Sequence, residues 1–219
     1  MLSSTSGRGS PDAVSRLPGD TVRSLALVAL SLVAAGLWFA RAWLVGPRFS
    51  FLWWNLFLAW VPWGLALVLP HLRRLFWPVF VVWLAFFPNA PYLLTDLVHL
   101  KQRAGVPLWF DVLFLATFAW AGCTVGWDSL GRVHLELQRR LGDFRAALII
   151  CAVVLATGLG VFLGRFERLN SWELVTDPLQ VALTTSAALL EPKALLYSLA
   201  FAGFVGAGYL FTRPVRTTP

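Results

Sequence analysis

The sequence predicts an all-α protein: a polytopic transmembrane helical bundle of about six spans, with one short interfacial or re-entrant helix. Three observations carry that prediction. Hydrophobic residues make up 58% of the 219, with a mean hydropathy of +0.70. Charged residues are only 13%, against about 25% in a soluble domain, too few to cover a water-facing surface. Finally, six runs approach the roughly 20 apolar residues that a spanning helix needs.

The runs are residues 24–45, 51–69, 75–94, 106–126, 146–164 and 194–211. The first carries Arg41 near its end, where a long side chain can snorkel toward the interface. The second holds Asn55 and a kink-forming Pro62. The fourth carries Asp111, and residues 128–143 after it read as a polar helical connector. The stretch Pro178 to Leu190 is apolar but too short to span, so it is the interfacial or re-entrant helix. Asp177 before it is a good N-cap, and proline suits the first helical position. Trp43, Trp53, Trp54, Trp77, Trp109 and Trp127 fall near run ends, where an aromatic belt belongs.

Residues 1–23, rich in Ser, Gly, Pro and Arg, read as a disordered cytoplasmic tail. Residues 24–212 form a single transmembrane domain, and 213–219 a short C-terminal tail. Ala40-Arg41-Ala42 resembles a cleavage site, but bulky Trp38 and Phe39 precede it and the run before it is long for a signal peptide. An uncleaved first helix is expected. Cys123 and Cys151 sit inside apolar runs, as small buried side chains rather than a disulfide framework.

The formal net charge is +7. The basic residues are scattered at run ends and form no stripe, which excludes a nucleic-acid interface and makes the lipid bilayer the partner. Six spans put both termini on one side. Eleven arginines fall on that side and seven basic residues on the other, so the positive-inside rule places the termini in the cytoplasm.

The chemistry-bearing stretch is Phe87-Pro88-Asn89-Ala90-Pro91-Tyr92-Leu93-Leu94-Thr95-Asp96-Leu97-Val98-His99. Two prolines three apart break a helix, and the residues before them, Phe87 and Ala90, are pushed toward extended backbone. The helix before the break, counted from Leu75, measures about 20 Å, short of the roughly 30 Å hydrocarbon core. Either irregular backbone lines a watery cavity there, or the break is an ordinary helix end at the interface. After it, Thr95 or Asp96 can cap a new turn. Asp96 and His99 share a face, which suits half a metal site or an acid–base pair; a cap and a solvated histidine suit the same residues. No cofactor or metal follows from the sequence.

In a six-span layout, one end collects Asn55, Asn89, Asp96, His99, Asp111, Arg165, Arg168, Asn170, Glu173 and Asp177. Asp96, His99 and Asp111 are the catalytic candidates. Asn89, Arg165, Arg168, Asn170 and Glu173 are the binding candidates, and Asn89 is expected to point into a pocket closed by residues 165–177. An intramembrane carboxylate needs a partner, and Arg165 is the expected partner of Asp111. Asn170 with Glu173 also reads as a capping box.

Asn55-Leu-Phe-Leu-Ala-Trp-Val-Pro62, the Phe87 to Leu100 stretch and Gly164-Arg-Phe-x-Arg-x-Asn-Ser-Trp172 together resemble a bacterial multi-pass membrane family, domain of unknown function 1361. The resemblance implies a bacterial inner-membrane protein and supplies no reaction. No hydrolase, kinase or zinc-protease motif is present. The expectation is an integral membrane protein with a polar site near its external face. Three readings of that site remain: an enzyme acting on a lipid-linked or envelope substrate with an anionic head group, a small transporter or channel subunit, and a scaffold whose polar residues are structural.

Overall fold

The computed structural model describes residues 18–103 and 105–213. The expected tails at 1–17 and 214–219 lie outside the described residues. Nine α-helices are described: α1 (Pro18–Val45), α2 (Phe51–Val68), α3 (Phe76–Phe86), α4 (Asn89–Tyr92), α5 (Leu108–Leu141), α6 (Asp143–Phe162), α7 (Glu173–Thr176), α8 (Pro178–Leu190) and α9 (Pro192–Thr212). Tighter 3₁₀ turns cover Leu69–His71 and Leu93–His99, and a π turn covers Leu163–Glu167. Among the described residues the β structure is one isolated bridge between Arg103 and Val106. Six helical segments are long and apolar enough to cross a membrane: Gly19–Val45, Phe51–His71, Phe76–His99, Leu108–Leu141, Asp143–Glu167 and Pro192–Thr212.

The first helix begins at Pro18, so residues 18–23 are helical rather than tail. Pro18 needs no backbone donor at a helix start, Asp20 complements the positive end of the helix dipole, and Ser24 donates to the Asp20 carbonyl at 2.9 Å. The connector expected after the fourth run is an unbroken continuation of α5, which at 34 residues reaches about 51 Å. The short helix at Pro178–Leu190 forms as expected, with the Asp177 carboxylate accepting from the Gln180 amide at 3.2 Å.

The third span is where local rules fare worst. Phe87 precedes a proline yet is right-handed helical, φ −57° and ψ −38°, and Ala90 lies inside α4. The expected extended backbone is therefore absent. The span instead becomes a chain of short helical turns, held by Ala90 N donating to Phe87 O at 3.1 Å and Tyr92 N to Pro88 O at 3.0 Å. Burial overrides the pre-proline preference: Phe87, Ala90 and Leu93 are fully enclosed. Glycines make room for the turns. A Cβ on Gly122 would strike the Ala90 carbonyl and Leu93, and one on Gly160 would meet Pro88 Cγ at 2.6 Å. By length, the 11 residues of α3 cover about 16 Å, half of the hydrocarbon thickness.

The interior is aromatic. Phe76, Phe80, Trp83 and Phe87 stack along α3 against Cys123, Trp127 and Leu130 of α5. Trp83 Nε1 donates to Ser129 Oγ at 2.9 Å, and Ser129 donates to the Pro62 carbonyl at 3.0 Å, tying α3, α5 and α2 together. Trp43, Trp54, Trp77 and Trp109 are exposed on the bundle surface, as a belt requires, but Trp127 is not one of them. It is buried and donates to the Val205 carbonyl at 3.1 Å. Cys123 is buried, whereas Cys151 faces outward.

Candidate functional site

Two polar networks meet at the end of the bundle where α1 finishes and α2 and α5 begin. The first is buried. Arg41 Nε donates to Asp111 Oδ1 at 2.7 Å, and Arg103 Nη1 reaches Asp111 Oδ2 at 3.3 Å. Arg41 and Asp111 are each 1% exposed. The partner of Asp111 is thus Arg41, not Arg165, and Arg41 turns into the bundle instead of snorkelling outward. A desolvated carboxylate takes the guanidinium that can be buried with it, and Arg41 is level with it on the neighbouring helix. The Phe49 ring centroid lies 4.6 Å from the Arg41 guanidinium and 4.8 Å from that of Arg103. Such contacts strengthen when desolvated. Phe49 also holds φ at +66°, a costly conformation for a non-glycine residue.

The second network borders open space. Asp96 is 2% exposed. It accepts from Asn55 Nδ2 at 3.0 Å and pairs with Arg165 Nη1 at 3.7 Å. Neither Thr95 nor Asp96 caps a helix: both lie within the 3₁₀ turn, and Thr95 Oγ1 donates back to the Tyr92 carbonyl at 2.7 Å. The Asp96 carboxylate therefore positions Arg165 across the bundle. His99 does not bond to it; its ring packs edge-on to Phe51 at 5.2 Å. The backbone carbonyl of His99 accepts from Arg103 Nη2 at 3.1 Å, and this bond joins the two networks.

The open space is a cavity of about 1360 Å³. Asn55, Asn89, His99, Arg165, Arg168 and Asn170 all line it, as do Tyr92, Ser171 and Tyr197. Asn89 donates to Phe86 O at 2.8 Å and to Ser171 Oγ at 2.9 Å, so its amide stitches the proline break to the segment after α6. The π turn Leu163–Glu167 delivers Arg165, and Arg168 follows it in left-handed backbone, φ +59°. Arg168 is exposed, and among the described residues no carboxylate lies within ion-pair distance of it. Glu173 stands outside the cavity: its carboxylate accepts from the Asn170 amide at 2.7 Å, which is half of the expected capping box.

Of the three catalytic candidates, only His99 borders the cavity; Asp96 backs it and Asp111 belongs to the buried triad. Sequence reasoning missed Arg41, Arg103, Phe49 and Ser171. A signal for Arg41 existed, because the six-span parity already put it at the same end as Asp111. Among the described residues no three His, Cys, Asp or Glu side chains gather as a metal site would require.

A family model described as protein of unknown function (DUF1361) matches residues 54–207, well over half the chain, and the chain belongs to that family. No curated protein and no solved structure matches it.

Proposed function

We propose that this DUF1361 member holds the anionic head group of a lipid-linked envelope substrate in the large cavity, with His99 as the acid–base group beside it. The observation that carries the reading is the two-sided lining. Arg165, Arg168, Asn55, Asn89 and Asn170 offer cationic and hydrogen-bonding groups, while Phe51, Trp54, Leu58, Phe166 and Phe201 form an apolar wall. A molecule with a charged head and a hydrocarbon chain matches both sides at once. Asp96 faces Arg165 from behind at 3.7 Å, an ion pair that favours a guanidinium turned to this side of the cavity.

A scaffold would need no cleft of this size, whereas here cationic, amide and apolar side chains line one together. A transporter would place its ionisable groups near the midplane, whereas those bordering this cavity lie toward one end of the bundle. The arginine distribution favours cytoplasmic termini and an external position for that end, and the membrane we propose is a bacterial inner membrane.

Binding of a short polyprenyl phosphate and of the matching neutral polyprenol, measured on the detergent-purified protein, tests the reading. The phosphate is expected to bind at least tenfold more tightly. Arg168→Gln is expected to weaken phosphate binding by roughly 10- to 100-fold, the worth of one charge-assisted contact, and to leave the polyprenol unchanged. Equal affinity for the two probes would sink the proposal.

A further inference from the structure

A second cavity, of about 480 Å³, opens between the start of α1, the second half of α5 and the end of α9. It lies at the opposite end of the bundle from the first. Along α9, Tyr197 borders the first cavity and Arg213 the second, a rise of about 24 Å. Along α1, Arg41 in the buried triad and Arg23 in the second cavity are about 27 Å apart, close to the roughly 30 Å hydrocarbon thickness. Arg23 therefore stands at the polar boundary of the other leaflet.

We infer that this cavity is a structural binding site for an anionic glycerophospholipid, its phosphate held by Arg23 and Arg213 and its chains lying along α1 and α9. Five charged residues line the cavity: Asp20, Arg23, Asp128, Arg132 and Arg213. Asp128 and Arg132 neutralise each other at 2.6 Å, and Trp63 Nε1 donates to the same Asp128 oxygen at 2.8 Å. What remains is two arginines against Asp20. Among the described residues neither Arg23 nor Arg213 has a carboxylate within ion-pair distance. The site thus keeps an excess positive charge at headgroup depth, where an anionic lipid gains attraction from each cation.

The apolar part of the lipid is accommodated as well. Leu27, Trp127 and Tyr209 form the inner lining, and Leu25, Val28, Leu210 and Phe211 expose apolar side chains on the flanking helices. The cavity volume suits a headgroup with its glycerol, not a whole two-chain lipid, so the chains must run outside along those helices. The bound lipid bridges α1 to α9.

Native mass spectrometry of the full chain, released from detergent after titration with dioleoyl phosphatidylglycerol or dioleoyl phosphatidylcholine, reads the site directly. Wild type is expected to retain phosphatidylglycerol in preference to phosphatidylcholine. The double variant Arg23→Gln, Arg213→Gln is expected to lose one retained phosphatidylglycerol, with affinity falling roughly thirtyfold, about fivefold per arginine. Arg23→Lys, Arg213→Lys keeps the charge and is expected to retain it, which separates a lost site from a misfolded protein. Arg165→Gln with Arg168→Gln is expected to leave this lipid in place, so the outcome is independent of the first cavity. Equal retention of the two lipids, or undiminished phosphatidylglycerol on the glutamine variant, overturns the inference. Displacement by millimolar inorganic phosphate would show a free-phosphate site and overturn the lipid as occupant.

Discussion

Neutralising Asp111 should be among the costliest single charge changes in this protein. The carboxylate holds two guanidiniums, Arg41 at 2.7 Å and Arg103 at 3.3 Å. Asp111→Asn leaves both without a counter-charge, but not equally. The Arg103 side chain is 24% exposed and can relax toward water, while that of Arg41 is 1% exposed and cannot. Removing one partner of a buried pair costs about 3–5 kcal/mol, so Asp111→Asn and Arg41→Gln should each fall in that range. Arg103→Gln should cost only about 1 kcal/mol, because a partly exposed pair is screened. The double variant Arg41→Gln, Asp111→Asn removes both charges together and should cost less than the sum by about 0.5–3 kcal/mol. The assay is denaturant unfolding of the detergent-solubilised protein, followed by tryptophan fluorescence. An Arg165→Gln, Asp111→Asn cycle on the same protein should be additive, since Arg165 pairs with Asp96. Additivity in the Arg41 cycle, or coupling in the Arg165 cycle, would refute the assignment of partners.

Arg168→Gly should separate stability from binding: relieving the left-handed backbone at φ +59° is worth up to about 1 kcal/mol, yet the cavity loses its unpaired cation. Melting temperature should hold or rise while polyprenyl phosphate binding falls, and a fall in both would contradict the role given to Arg168. Cysteine at position 89, in a background with Cys123 and Cys151 replaced, should react with small water-soluble thiol reagents and be shielded from bulky ones; inertness to both would place it in lipid or tight packing. Reporter fusions after Arg74, Arg103, Arg140 and Lys193 should alternate in location, and fusions after Arg103 and Lys193 on opposite sides would break the shared polar end.

The spans were legible in the sequence because an apolar run is a local signal that lipid enforces without reference to the rest of the chain. So was the short helix at Pro178–Leu190, with its Asp177 cap and its proline at the first position. The third span was only half legible. Pro88 and Pro91 announced a break, but whether Phe87 turns extended or stays helical depends on Gly122 and Gly160 on other helices, which admit the turns. No window around Phe87 contains that information. The same holds for charge partners. Asp111 advertised its need for a cation, but the choice between Arg41 and Arg165 is set by which helix packs beside α5 at that height.

Arg41 bears on how the cavity is framed. It lies on α1, ahead of residue 54 where the family match begins, while Asp111 lies within the match. A buried carboxylate of the matched region is therefore completed by a helix outside it. The consequence reaches the cavity through a short chain of bonds: Arg41 fixes Asp111, Asp111 fixes Arg103, and Arg103 holds the His99 carbonyl. His99 closes the 3₁₀ turn that also carries Asp96, and Asp96 sets Arg165. Loss of the α1 guanidinium should thus loosen the position of His99 as well as destabilise the fold. The histidine's accessibility to diethyl pyrocarbonate should rise in Arg41→Gln under conditions where the variant is still folded. If His99 reacts at the wild-type rate in that variant, the two networks are neighbours without being coupled, and α1 contributes stability alone.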